Sequence, residues 1–333
     1  MIIPAGQSNQ RQVIAMTGDS KFIYPLGIAM ASLARHATAP LHLDFALPRD
    51  WPLMVSPRAL AQVAELAESL GWTIDLVECP IDATSLPRTR HISSMTFMKP
   101  AYFDISQRDQ VAFIDGDLIA VAEWTALLQP LLEHPIGAAR EDNMRDFELR
   151  WNPELPAGWY INAGVLQARP SIWQARYTDL WHELLAEYPS LGFRYLEQDL
   201  MNASLRGNTA LIPQSLNARP AYGHSLEGAS IVHFAGWWKP WLTVPSETRR
   251  LPPLLLEANL LFIEAERFFH RHIEDQLGRD AAEFWRKELT KVRGVVDWRS
   301  QWRFRRWWAA QKVRTAVQQA ISLRTRGMNG VAE

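Results

Sequence analysis

The chain begins as a series of short apolar runs separated by helix-length stretches. Gln12-Val13-Ile14-Ala15-Met16 predicts a first strand, closed by the polar turn Thr17-Gly18-Asp19-Ser20. A helix is expected from near Pro25 to about His36, and Leu41 to Leu47 predicts a second strand. Ser56-Pro57 is a helix start, with serine at the N-cap and proline at the first helical position. Leu60, Val63, Ala64, Ala67 and Leu70 then fall on one face before Gly71 ends the helix. Thr73 to Val77 predicts a third strand. This β-α-β-α-β order implies an α/β fold, with a parallel sheet covered by helices and ligands bound beyond the carboxyl ends of the strands.

Farther on, His91 to Asp104 predicts a helix carrying Lys99, which feeds the buried strand Val111-Ala112-Phe113-Ile114. Pro135 to Ala139 is a short strand ending at Arg140-Glu141-Asp142, and residues 143–158 are expected to be a loop over a site. Tyr160 to Leu166 returns to strand, Pro170 opens a long helix through Tyr188, and Glu197 to Asn202 starts another. Thr209 to Pro213 and Ser230 to Phe234 are short strands, and Leu251 to Leu289 reads as helical.

The buried strand at Val111 runs directly into Asp115-Gly116-Asp117. Two like charges at a strand end are costly to bury unless a cation accompanies them. Hard carboxylate oxygens suit Mg2+ or Mn2+, and Gly116 would let the chain turn tightly around the ion; an ordinary Asp-Gly turn is the plainer reading. A second group lies in His233-Phe234-Ala235-Gly236-Trp237-Trp238-Lys239-Pro240-Trp241. His233 offers an imidazole ligand, Gly236 a close backbone approach, and Lys239 a point charge for phosphate. Together these residues describe a site for a metal-bound diphosphate. No GxGxxG or GxxxxGK[ST] pattern follows the first strand, which argues against a nicotinamide enzyme and a P-loop NTPase.

Composition changes this picture in two ways. Cys79 is the single cysteine among 333 residues, so an intrachain disulfide or cysteine-based metal site is excluded and a reducing compartment fits. The overall charge of −1 hides an asymmetry: Lys291 to Arg326 holds ten Lys/Arg against Asp297, a local +9 that leaves about −10 for the rest.

Four motifs in order, FIDGDL, YINAGVL, EQDLMN and HFAGWWKPW, with a weaker LIPQSLN at Leu211 to Asn217, resemble glycosyltransferase family 8. These are retaining GT-A enzymes that include bacterial lipopolysaccharide galactosyl- and glucosyltransferases and glycogenin. The resemblance covers roughly Val13 to Trp241. It implies a Rossmann-like mixed sheet flanked by helices over residues 12–250, a helical extension over 251–333, and transfer of a hexose from a UDP-sugar. By the same resemblance Asp115, Asp117 and His233 hold Mn2+ (or Mg2+), while Gly116, Gly236 and Lys239 lie at the donor diphosphate. Asn162, Ala163 and Glu141 line the donor sugar, with Glu197, Gln198 and Asp199 as the catalytic helix start. Lys99 falls where bacterial members carry an arginine, and Glu197 stands where an aspartate is usual. The aspartate pair usual at the first turn is missing, leaving Thr17 and Asp19 for the nucleobase. Retention ordinarily needs a carboxylate below the ring; the residue expected there is Gln198, whose neutral amide is a poor nucleophile, so front-side attack by the acceptor is expected.

Two rival readings belong to other classes: a haloacid-dehalogenase-type phosphatase, whose D-x-D the Asp115 motif resembles, and a silent membrane-surface scaffold with this fold. The basic tail bears on both location and partners. Trp298, Trp302, Trp307 and Trp308 interleave with arginines on an expected helix, a pattern suited to an anionic membrane surface more than to nucleic acid. Residues Met1 to Arg11 show no apolar leader, and the expectation is a cytoplasmic protein held peripherally at the inner membrane face, acting on a glycan or lipid-linked saccharide. Truncation after Val292 should abolish co-flotation with anionic liposomes; undiminished flotation would remove the membrane reading.

Overall fold

In the computed structural model the described residues are 12–242 and 251–294, apart from positions 90, 91, 130, 132, 143 and 237. Two compact units divide the chain at Leu289/Thr290, and the first contains every described strand. The basic, tryptophan-rich stretch from position 295 onward lies outside the described residues.

The alternation read from the first third of the chain is present. Strand β1 (Gln12–Met16), helix α1 (Ile23–Arg35), β2 (Leu41–Pro48), α2 (Pro57–Ser69) and β3 (Thr73–Cys79) follow one another. Ser56 caps α2 by accepting the Ala59 amide at 3.2 Å. Helix α3 (Met98–Ile105) then leads to β4 (Val111–Ile114) and β5 (Leu118–Ala120). Strand β6 (Ile136–Arg140), helix α4 (Arg145–Trp151), β7 (Ile161–Ala168), α5 (Pro170–Arg176), α6 (Thr178–Ala186) and α7 (Tyr188–Leu191) come next. The described elements end with α8 (Glu197–Leu205), β8 (Thr209–Leu211), β9 (Ile231–His233), α9 (Pro253–His272) and α10 (Gly278–Gly294).

Seven strands form one sheet in the order β3-β2-β1-β4-β7-β6-β8. The β3, β2, β1 and β4 pairings are parallel, β7 runs antiparallel to both β4 and β6, and β8 is parallel to β6. The sheet is therefore mixed. Strands β5 and β9 make a separate antiparallel pair. All eight residues of interior strand β2 are buried, whereas edge strand β3 is largely open.

Two expectations are corrected. The stretch 143–158 holds helix α4, not only loop. Buried Glu148 accepts the Gly158 amide at 2.7 Å and the Tyr160 amide at 3.1 Å, and Phe147 packs edge-on against Tyr160. At seven residues, α4 is too short for its apolar stripe to repeat, so periodicity could not reveal it. The helix read as continuous from Pro170 to Tyr188 breaks at Tyr177. There the partly buried Asp104 carboxylate collects hydrogen bonds from Thr178 and the indoles of Trp173 and Trp181, holding both segments to α3.

The segment after Leu251 is two helices joined by a π turn at Ile273–Leu277. Helix α9 lies on α1, where Tyr24 donates to Glu266 at 2.6 Å. The close approach depends on Gly27: a Cβ there would stand 2.9 Å from Trp285 and 3.0 Å from Phe269. Gly27→Ala should therefore destabilise the fold by about 1–3 kcal/mol through overpacking. An unchanged urea midpoint would show that the two rings move aside.

Candidate active site

The carboxyl end of β4 delivers Asp115 and Asp117 to the centre of the sheet, where the parallel and antiparallel halves meet. The Asp115 amide donates to the Gly164 carbonyl of β7 at 2.9 Å. The β5–β9 register sets Leu118 opposite His233, and the Phe234 amide donates to the Asp117 carbonyl at 2.9 Å. Residues more than a hundred positions apart are so brought together, and the ligand atoms of Asp115, Asp117 and His233 lie within 4.8 Å of one another.

Two glycines make room for this. A Cβ on Gly164 would stand 2.0 Å from Cε1 of His233, so the imidazole occupies the volume that a side chain would fill. Gly116 is not in the positive-φ region, and a Cβ there would press on Leu26 of α1 at 3.1–3.4 Å.

Cationic side chains surround the acids. Lys99 on α3 is buried and reaches Asp115 and Glu197, both at 2.9 Å. Burial alone would depress its pKa, but the two carboxylates outweigh it and hold the ammonium well above its usual range. For Asp115, burial is the largest influence; Lys99 opposes it, neighbouring Asp117 adds to it, and the pKa is pushed up to about 6. Asp117 moves the other way: burial is outweighed by Lys239 and His233, which keep it well below the usual carboxylate range. Lys239 stands 2.5 Å from Asp117 and also donates to the Phe234 carbonyl, on a turn made by Gly236 at φ 85°.

The three residues fit a divalent cation. His233 Nδ1 lies 2.8 Å from the Asn217 side-chain oxygen, while Nε2 faces Asp117 at 3.2 Å. A metal ion held between that nitrogen and the carboxylate oxygen would draw on the lone pairs of both. The other described cluster of this composition, His42, Asp44 and Asp75 at the amino ends of β2 and β3, already has a cation. Arg108 reaches Asp44 at 2.7 Å and Asp75 at 3.1 Å there.

A wall of amides and acids adjoins this cluster. Asn162 of β7 donates to Glu141 at 2.7 Å and to Gln198 at 3.1 Å. The Gln198 oxygen also accepts the Ala163 amide at 3.0 Å, and its NH2 group donates to the Tyr160 hydroxyl. Asp199 accepts from the Tyr160 hydroxyl and from the amides of Arg194 and Tyr195, and is buried. These bonds fold the chain so that Leu196 takes φ 48°, a strained conformation for a branched residue, and α8 starts with Glu197 and Gln198 beside Asn162. Asp199 thus shapes the turn that starts α8, and both of its oxygens accept hydrogen bonds from the protein.

At the end of β1, Thr17 spends its hydroxyl on the Ala46 carbonyl, and half-exposed Asp19 accepts the Lys21 amide. Neither touches the acidic cluster in a described contact. The sequence reading missed four residues that hold the site: Arg219, Asn217, Tyr160 and Gly164. Arg219 is fully buried, pairs with Glu141, donates to the Arg140 carbonyl, and stacks under Tyr222. Nothing in its neighbourhood of the sequence signals an ion pair with a residue 78 positions earlier. Asn217 and Gly164 stand within quoted motifs, and their presence there is the signal that could have found them.

The model of the family described as Glycosyl transferase family 8 matches residues 13–244. The chain is 23% identical over 252 residues to a lipopolysaccharide 1,2-glucosyltransferase of Escherichia coli, covering 68% of this chain and 72% of that one. It is 27% identical over 176 residues to the glycosyltransferase GlyE of Streptococcus pneumoniae, covering 50% of this chain and 37% of that one. Among solved structures, the galactosyltransferase LgtC in complex with donor and acceptor sugar analogues superposes with a TM-score of 0.60 at 18% identity, over 77% of this chain and 95% of that one. That likeness shows the GT-A fold.

Gly164→Ala should displace the His233 ring and weaken binding of a divalent cation by about 10–100-fold. Isothermal titration of the folded variant checks this, and wild-type affinity would mean that His233 is not a ligand.

Proposed function

Because the chain belongs to glycosyltransferase family 8 and is a glycosyltransferase, we propose that it moves a hexose from a UDP-sugar to a glycan or lipid-linked saccharide with retention of anomeric configuration. The observation that carries this reading is the convergence of Asp115, Asp117 and His233 with Lys99 and Lys239 at the carboxyl end of β4. The resident ion in this reading is Mn2+, with Mg2+ as a substitute, and when bound it supplies Lewis-acid stabilisation of negative charge on the departing diphosphate.

The chain's own groups then have separable tasks. Lys239 donates to the diphosphate as charge develops, and Gly236 lets the backbone approach it closely. Asn162, Ala163 and Glu141 hold the sugar. The Glu141 carboxylate is itself held by Arg219 and Asn162, so its oxygens are fixed in direction. For retention, a carboxylate nucleophile would need a free oxygen beneath the ring. Glu197 is paired with Lys99 through one oxygen, Asp199 already accepts three hydrogen bonds, and the Gln198 oxygen accepts two. The neutral amide of Gln198 and the engaged carboxylate of Asp199 favour front-side attack by the acceptor hydroxyl, with Gln198 acting on the positively charged sugar as a fixed dipole.

Similarity to the E. coli enzyme supports an acceptor in lipopolysaccharide or another surface polysaccharide. No helix among the described residues is long and apolar enough to cross a membrane. The reading for the basic tail is peripheral attachment to an anionic surface on the cytoplasmic side, where nucleotide sugars are made.

Incubation with a panel of UDP-sugars and Mn2+ should release UDP, and EDTA should abolish the release. Phosphate release from phosphoesters instead would point to the phosphatase reading. Silence across the panel, with UDP still raising the melting temperature, would leave a scaffold.

A further inference from the structure

We propose that Asn217 is a positioning residue that fixes the tautomer of His233, and that through Asn162 it joins the cation cluster to the sugar wall. The proposal rests on the reading of Asp115, Asp117 and His233 as cation ligands. Asn217 ends the turn Gln214–Asn217 and is followed by Ala218, which bridges to Val232 of β9 and accepts the His233 amide at 2.8 Å. This bridge sets the Asn217 side chain beside the imidazole. Asn217 is fully buried, and His233 and Asn162 are nearly so, so each polar atom must find its partner within the protein.

The partners permit one arrangement only. The backbone N–H groups of Gly164 and Ala163 can only donate. Gly164 donates to Asn162 Oδ1 at 3.0 Å, and Ala163 donates to Gln198 Oε1 at 3.0 Å. Asn162 Nδ2 therefore faces two acceptors, Glu141 at 2.7 Å and Gln198 at 3.1 Å. With its oxygen so fixed, Asn162 accepts from Asn217 Nδ2 at 2.9 Å, which turns Asn217 Oδ1 toward His233 Nδ1 at 2.8 Å. That ring nitrogen must carry the proton, leaving the Nε2 lone pair aimed at the acidic cluster. Turning the Asn217 amide over would set oxygen against oxygen at Asn162. Turning Asn162 as well would oppose it to the Gly164 N–H and to both acceptors beyond. Two asparagines thus transmit the direction of a backbone amide on β7 to the ligand nitrogen of a histidine on β9.

Protein labelled with 15N-histidine tests this at a pH above which the His233 signals no longer change, without metal and with Mg2+. His233 is assigned by the signals lost in His233→Gln. The wild type should carry the His233 proton on Nδ1 in both conditions; a neutral Nε2–H form would overturn the proposal. In Asn217→Leu the strongest remaining acceptor is Asp117, so the proton should move to Nε2 and Mg2+ affinity should fall about 10–100-fold. An unchanged tautomer and affinity in that variant would also overturn it. Should Asn217→Leu fail to fold, Asn217→Asp keeps an acceptor for Nδ1–H, and an Nε2–H form there would be equally decisive. If wild-type protein binds neither Mg2+ nor Mn2+, the cation reading fails, while the tautomer measurement still decides the role of Asn217.

Discussion

Three carboxylates, Asp115, Asp117 and Glu197, share one largely dry corner of the molecule, and most of the architecture around them follows from that. Like charges at such distances in a low dielectric repel strongly and cannot persist without countercharge. Lys99 bridges two of them and Lys239 holds the third, with His233 alongside. A buried ammonium is itself costly, so acids and lysines are each tolerable only in the other's presence. Four separate elements must therefore converge: β4 for the aspartates, α3 for Lys99, α8 for Glu197, and the turn after β9 for Lys239. The central place of β4, between β1 and β7, makes the convergence possible.

The same rule explains two other charged clusters. Asp104 is saturated by donors from α5 and α6, and Asp44 by Arg108, Tyr102 and His42. In both, each carboxylate oxygen is committed to a donor of fixed geometry; the planar guanidinium of Arg108 fills the position a cation would take. At Asp115 and Asp117 the countercharges sit on flexible lysine stems from distant parts of the chain.

Much of the candidate site was legible because its pieces are short and local. The DxD strand, the asparagine-glycine strand, the start of α8 and the HxxGxxK turn each combine an apolar run with reactive residues at fixed offsets, and such patterns survive without tertiary information. The segment before β7 was less legible. Helix α4 is too brief for periodicity, and its anchor, Glu148, reads as one more surface acid among many. Arg219 was missed because its meaning lies wholly in its partner Glu141, across the fold. For Gly116 the sequence suggests a tight turn, and the packing adds a close approach to Leu26.

The sequence by itself determined the β-α-β-α-β start, the burial of the Val111 strand, the identity of the acidic and cationic groups, and the family to which they point. Those properties depend on composition and spacing over a few residues. Only the tertiary structure decided which oxygens of Gln198, Glu197 and Asp199 are already spent, why Gly164 must lack a side chain, and how Asn217 faces His233. These depend on the β4–β7 and β5–β9 registers, which join positions more than fifty residues apart and leave no periodic trace in the chain.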